Sequence, residues 1–406
     1  MLLPFAAALQ VVAITHVTVI DVAPREPTSR SDITVVVDGQ RISALGPATD
    51  TPVPPGARVI DGHGKWLIPG LWDMHVHSVV PTGRELLSLY VANGVTGVRD
   101  MGGDFAVVRR WRDEIARGTL VGPRIVAAGP YLEGHDSPIA HLEVHTPTDA
   151  RRAVDSLSTL GVDFVKVHSA LPRETFFAAA REARAKHLAV AGHLSRNVTV
   201  TEASDSGQRS LEHLLGFVNV CSPAESVAFA NVDPLRRAVF GGCTSQHQDT
   251  VYAHLARNAT WVTPTLATSY EFAMLPKHEL PGDTLARFVS DSLRVYLTRI
   301  FDAPPSLPPD ADVVGRRLFR KRYELVLGLH RAGVPILAGT DSPMRNVPPG
   351  FGLHHELTEL VRAGLTPGEA LRAATYEPAR YFEALDSLGT IAPGKLADLV
   401  LLDANP

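Results

Sequence analysis

Between Leu71 and Thr340 the chain alternates short apolar runs of buried-strand type with longer stretches whose apolar residues recur at helical spacing. The candidate strands are Leu71 to His77, Val95 to Met101, Arg124 to Ala128, Phe164 to His168, Ala189 to His193, Arg209 to His213, Trp261 to Leu266 and Pro335 to Thr340. Strands separated by helices pair in parallel, because the intervening helix carries the chain back across the sheet. Several helices announce their starts: Thr148 and Asp149 before "ARRAVDSLSTL", Pro172 before "RETFFAAAREARAKH", and Thr366-Pro367 with Glu369 for "GEALRAATYEPARYFEAL". Eight such units predict an α/β fold of the closed (β/α)8 TIM-barrel type, with an open doubly wound sheet as runner-up.

The flanks read differently. From Val11 to Ile60 short β-type runs such as "ITHVTVIDV" and "DITVVVDGQRISALG" alternate with turn-rich text such as "PATDTPVPPG". The terminal "LGTIAPGKLADLVLLDANP" returns to a turn and a β-run that rejoins the first sheet. Residues 1–67 and 388–406 are therefore expected to form a composite β-sandwich domain, and 68–387 the barrel.

Composition narrows the partners. A net charge of -4 over 406 residues, with both signs interspersed, gives no basic face for nucleic acid. No apolar run approaches the roughly 20 residues that span a bilayer, so a small-molecule substrate is expected and no membrane partner. A homo-oligomer is left open. Two cysteines, Cys221 and Cys243, supply neither a disulfide framework nor a zinc cluster. Residues 1–10, "MLLPFAAALQ", read either as a signal-peptide remnant or as an ordinary terminus, leaving the compartment cytoplasmic or exported.

Barrel chemistry gathers at the carboxyl ends of the strands. Here the first strand ends in His75-Val76-His77, the fourth carries Lys166, the fifth ends at His193, the sixth at His213, and the eighth runs into Asp341. One His-x-His pair is weak evidence, since 17 histidines in 406 residues give on the order of one by chance. In a strand, however, residues i and i+2 face the same side, so both imidazoles can point inward together. Imidazole and carboxylate suit zinc and similar divalent ions. Lys166 lies in the apolar run "VDFVKVHS", where an ammonium is expensive to bury and would repel metal ions. As a neutral amine it could instead take up carbon dioxide, and the carbamate formed is an anion with two oxygens able to bridge two metals. The plain alternative is a lysine salt-bridged at the barrel end.

This ordered set, preceded by "VIDGHGKWLIPGLWDMHVH" and closed by "GTIAPGKLADLVLLD", resembles the metal-dependent amidohydrolase superfamily. Within it the likeness is to imidazolonepropionase-like hydrolases and Xaa-Pro-type dipeptidases, some of which also open N-acyl amino acid amides such as ochratoxin. The resemblance implies that His75, His77 and Asp341 hold a first metal, His193 and His213 a second, and that carboxylated Lys166 bridges them, zinc being the leading ion.

Two such ions would lower the pKa of a shared water and polarise a carbonyl, with Asp341 moving the proton to the leaving nitrogen. A dipeptide or N-acyl amino acid is the leading substrate class and a cyclic amide of the imidazolone type the alternative. A mononuclear site using His75, His77, His213 and Asp341, with Lys166 unmodified, is a further variant. A non-catalytic barrel scaffold is the rival from another class.

For substrate contacts, His135 lies in "YLEGHDSPIAHLEVHTP", expected as a loop over the mouth, while Arg99 and Arg345 sit at or beyond strand ends and could clamp a carboxylate. "GTIAPGK" has phosphate-loop spacing, but Leu396 follows it where Ser or Thr is required, and it reads as a turn.

Overall fold

The computed structural model describes residues 11–137, 139–195, 197–217, 245–274, 290–293, 295–296, 311–344 and 346–406. The chain divides into two compact units, Met1–Leu71 with Thr366–Pro406, and Trp72–Leu365. The signal-type stretch 1–10, Cys221, Cys243 and Arg345 lie outside the described residues. Among the described residues no helix is long and apolar enough to cross a membrane.

In the first unit β1 (Val12–Asp21), β2 (Thr28–Asp38), β3 (Arg41–Pro47), β4 (Arg58–Asp61), β5 (Trp66–Pro69) and the final strand Leu399–Leu402 pair into one mixed six-stranded sheet. The final strand runs antiparallel to β5, Leu399 opposite Pro69 and Leu402 opposite Trp66, so both ends of the chain share one sheet. Val17 and Val19 of β1 and Ile33 and Val35 of β2 keep two-residue spacing and bury together with Leu67 and Ile391. The helices Pro367–Ala373 and Tyr376–Tyr381 belong to this unit, where Arg372 Nη1 donates to the carbonyls of Val22 and Pro24. They were expected as one helix. The break follows from Pro378, which has no N–H for the carbonyl of Ala374.

In the second unit the βα alternation appears as β6 (Leu71–Val76), β7 (Val95–Asp100), β8 (Arg124–Ala127), β9 (Tyr131–Glu133), β10 (His141–Glu143), β11 (Phe164–Val167), β12 (Ala189–Gly192), β13 (Gln208–Glu212) and β14 (Trp261–Thr263). They form a three-stranded sheet, β6-β7-β8, and a six-stranded one in the order β10-β9-β11-β12-β13-β14. The pairings of the six-stranded sheet are parallel. The segment expected as a loop over the mouth contributes β9 and β10 to that sheet.

The sheets do not join in one closed ladder. The expected eighth strand makes only isolated bridges, Ile336 with Val262 and Ser342 with Val76. Its backbone still bonds on both sides: Leu337 N donates to Val262 O (2.9 Å), and Met74 N donates to Ala338 O (2.9 Å). Side chains explain the interruption. Pro335 has no N–H, and the amide of Thr340 is shared between Asp73 Oδ1 at 2.9 Å and the His75 carbonyl at 3.3 Å, which weakens its bond to the neighbouring strand.

Helix ends follow the local chemistry. The helix Pro147–Leu160 is capped by Thr146, not Thr148: Asp149 N donates to Thr146 Oγ1 and the Asp149 carboxylate accepts from the Thr146 amide, with Pro147 at the first helical position.

Candidate metal centre

Alternation along β6 puts Asp73, His75 and His77 on one side of the strand. His75 is fully buried. Its Nε2 lies 3.3 Å from Asp341 Oδ1, and His77 Nε2 lies 3.4 Å from the same oxygen. These three residues offer donor atoms within 4.8 Å of one another. The ring of His213 is 4.5 Å from that of His75, centre to centre, and His193 meets His213 edge-on at 4.7 Å. His77, Lys166, His193, His213 and Asp341 all face a cavity of about 310 Å³. The five histidine and lysine candidates and Asp341, 266 positions apart at the extremes, thus converge on one place.

Each imidazole is held by its other nitrogen. His75 Nδ1 pairs with Glu212 Oε2 at 2.9 Å, His193 Nδ1 with Ser169 Oγ at 2.9 Å, and His213 Nδ1 with Thr265 Oγ1 at 2.8 Å. His77 Nδ1 is 3.4 Å from the Gly102 carbonyl. A carboxylate on Nδ1 fixes the tautomer of His75 and leaves a lone pair on Nε2. That Nε2 is buried without a hydrogen-bond partner. A buried acceptor beside two further donors is the arrangement that a divalent cation satisfies, so the residues present fit such an ion.

Backbone conformation is unusual at the same place. His213 (φ 62°), Thr265 (φ 49°) and Asp341 (φ 63°) all adopt left-handed conformations that side chains with a Cβ rarely take. Gly192 is required next to His193: a Cβ there, at φ 129°, would meet the Val167 carbonyl oxygen at 2.2 Å.

Burial governs the charges. It pushes His75 down to about 4, although Asp341 and Glu212 pull the other way, so the ring is neutral. Burial would raise Asp341, but His213, His75 and His77 outweigh it and hold the carboxyl below the usual range. Burial lowers Lys166 to about 8 against the pull of Asp341 and Glu212. Among the described residues Lys166 makes no salt bridge or hydrogen bond; its Nζ lies 5.5 Å above the ring of Tyr131. Within those residues the salt-bridged alternative for this lysine has no carboxylate partner.

The residues expected to touch substrate fare worse. Arg99 is fully buried, its Nε donating to Met74 O (2.6 Å) and its Nη2 to Glu212 Oε1 (2.8 Å). It braces the interior of the unit and does not reach the cavity as a carboxylate clamp. His135 is exposed, with its Nδ1 2.7 Å from the Asp136 carbonyl, and it does not line the cavity.

Sequence reasoning missed several participants. Asp73 accepts from the amide and hydroxyl of Thr340 and from the amide of His75, tying β6 to the segment that carries Asp341. The alternation that singled out His75 and His77 extends two residues back to it. Glu212 is adjacent to His213, and a carboxylate inside the apolar run "SLEHL" was a signal in itself. His168 lines the cavity, its ring tilted 33° against that of His193 with centres 3.9 Å apart, and is hydrogen-bonded through Nδ1 to Glu133. Arg322, from the helix Ala311–Arg331, also lines the cavity and donates to the His213 carbonyl at 2.6 Å. No local pattern marks it.

With this geometry in place, comparison with known proteins defines the class. The profile of the amidohydrolase family matches residues 66–406, and the chain belongs to that family. Among solved structures it is similar to a candidate prolidase from Bifidobacterium longum, 25% identical, with a TM-score of 0.71 over 98% of this chain and 90% of that one. Bottromycin amidohydrolase is similar in fold, at 24% identity and a TM-score of 0.76 over 98% of this chain and 85% of that one. Adenine deaminase 2 of Rhizobium etli is 26% identical over 358 residues, 85% of this chain and 46% of that protein. The chain spans less than half the length of the curated relatives it matches.

Proposed function

We propose that the protein is a binuclear metal-dependent hydrolase that cleaves the carbon–nitrogen bond of a small amide, a dipeptide or N-acyl amino acid being the leading class. The observation that carries this reading is the meeting of His75 Nε2, His77 Nε2 and Asp341 Oδ1 at the wall of a cavity that His193, His213 and Lys166 also face. Membership of the amidohydrolase family and likeness to a candidate prolidase support it.

In this reading His75, His77 and Asp341 would hold one ion, His193 and His213 would hold the other, and Lys166, as its carbamate, would supply an anionic ligand to the pair. When bound, the ions, zinc first among the candidates, supply an activated water and polarise the scissile carbonyl. Asp341, whose carboxyl is held below the usual range, can accept a proton at its carboxylate and pass it to the leaving nitrogen. Glu212, Ser169 and Thr265 keep the rings aimed, so little motion is needed during the reaction. The finer architecture belongs with the proposal: a (β/α)8 barrel in which the segment Pro335 to Ser342 is the eighth strand, and a β-sandwich built from both chain ends.

Purified protein reconstituted with zinc in bicarbonate should hold about two ions per chain and hydrolyse members of a panel of dipeptides, N-acyl amino acids and cyclic amides. Asp341→Asn should abolish turnover, and Lys166→Met should lower the ion count. A chain that binds no divalent ion and cleaves no member of the panel would leave the scaffold reading standing.

A further inference from the structure

The cavity holds a cation that the chemistry above does not use. Arg322 enters from the helix Ala311–Arg331, half-buried at the wall, and spends one N–H on the carbonyl of His213 at 2.6 Å. Among the described residues no aspartate or glutamate pairs with it, and that carbonyl is its one hydrogen-bond partner. A guanidinium carries five N–H donors in a planar fork, so the edge formed by Nε and Nη2 is left for something else. The neighbouring wall residues Leu215, Thr265, Thr268, Ser269 and Met344 supply no negative charge.

Guanidinium groups withdrawn from water are found against carboxylates or phosphates because an unpaired charge there is costly. The other positive side chain at the wall, Lys166, is assigned above to the metal pair. An anion arriving with the substrate therefore meets one guanidinium.

We propose that Arg322 anchors the carboxylate of the substrate, so that the amide cleaved is the one formed by an amino acid with a free carboxyl group. This rests on the hydrolase reading and narrows it. Arg322 is bonded to the backbone of His213, whose ring takes part in the cluster around Asp341. Arg322, His213 and Asp341 line one cavity, so an anion held by the guanidinium sits in the same space as the reacting centre. The clamp performs the task first expected of Arg99 and Arg345, but it comes from a helix packed beside the site.

The test is a matched panel: dipeptides and N-acyl amino acids, each with its C-terminal carboxamide. The wild type should prefer the acids on the order of 100-fold in kcat/KM, chiefly through KM. Arg322→Met should bring acids down to the level of the carboxamides, and Arg322→Lys should restore part of the preference because charge remains without the fork. A purely structural role, exerted through the His213 carbonyl, would lower acids and carboxamides alike and would overturn the assignment. So would a wild type indifferent to the carboxyl group.

Calorimetric binding of an N-acyl amino acid and of its carboxamide, without added metal, reads the clamp apart from turnover. A preference that depends on Arg322, together with no hydrolysis of any member of the panel by the zinc-reconstituted protein, sinks the hydrolase reading and keeps the anion site. Equal binding of both by wild type and Arg322→Lys removes the site, and that comparison stands even if Arg322→Met does not fold.

Discussion

The Glu212 carboxylate joins the side chain of His75 to that of Arg99: Oε2 lies 2.9 Å from His75 Nδ1, Oε1 2.8 Å from Arg99 Nη2, and all three groups are fully buried. One acid thus orients a candidate metal ligand and neutralises a guanidinium in the interior. Burial raises the Glu212 carboxyl, but Arg99, His75 and Ser210 overcome that and hold it below the usual range.

Glu212→Gln should damage both tasks. Arg99 would lose the carboxylate that pairs with its Nη2, which costs about 3–5 kcal/mol in comparable buried pairs. His75 would lose the partner that fixes its tautomer, and ion affinity should fall about 10- to 100-fold. Denaturant melts of metal-free protein and zinc titration of the folded fraction measure the two losses separately. Unchanged zinc affinity in the folded fraction would show that Glu212 does not position His75.

Gly339 lets the Asp341 segment approach β6. A Cβ there would stand 2.6 Å from Thr263 Cγ2 and 2.8 Å from the amide nitrogen of His75. Neither neighbour is the far end of a flexible chain. Gly339→Ala should cost about 1–3 kcal/mol and push Asp341 out of register with His75 and His77. Thermal melts give the first effect, and zinc affinity gives the second.

The candidate ligands were legible because strand chemistry is local. Two-residue alternation links His75 to His77, and a polar residue ending an apolar run marks His193 and His213 without knowledge of any contact. Asp73 obeys the same alternation and went unread because its partner, Thr340, is 267 positions away. Arg322 was beyond reach for the same reason: which face of its helix meets the cavity is decided by packing. Arg99 misled because strand membership says where along a barrel a residue lies, and its pairing with Glu212 depends on a strand not adjacent in sequence. The shift of a helix start from Thr148 to Thr146 turned on Pro147, which favours the first helical position.

Thr146 provides a check on that local reading. Its hydroxyl and the carboxylate of Asp149 satisfy each other's backbone amides at the start of the helix Pro147–Leu160. Thr146→Ala should cost about 1 kcal/mol, whereas Thr148→Ala should cost little. Chemical denaturation of the two variants decides between the caps. Equal effects would mean that the capping box contributes nothing.

Glu356 should make stability fall in mild alkali. It is fully buried on the helix Phe351–Arg362, where its Oε2 accepts from the amide of Ala267 at 2.7 Å while Oε1 has no partner. Burial is the main cause that pushes its carboxyl up to about 8, outweighing the amides of Ala267 and Leu266, and the neighbouring Asp73 and Glu359 carboxylates add to it. The folded chain then binds a proton that the unfolded chain, with an ordinary glutamate, has released. The stabilising contribution is complete below the unfolded value and is lost as pH rises through the folded one. Linkage gives a loss of about 2 kcal/mol between pH 6.5 and pH 9 from this group. Urea unfolding of metal-free protein across that range should show the decline. Glu356→Gln, which keeps an acceptor for Ala267 and cannot ionise, should flatten most of it. A smaller slope should remain from Asp73, which burial raises to about 7. Parallel slopes in wild type and variant would place the alkaline sensitivity elsewhere and show that Glu356 does not carry it.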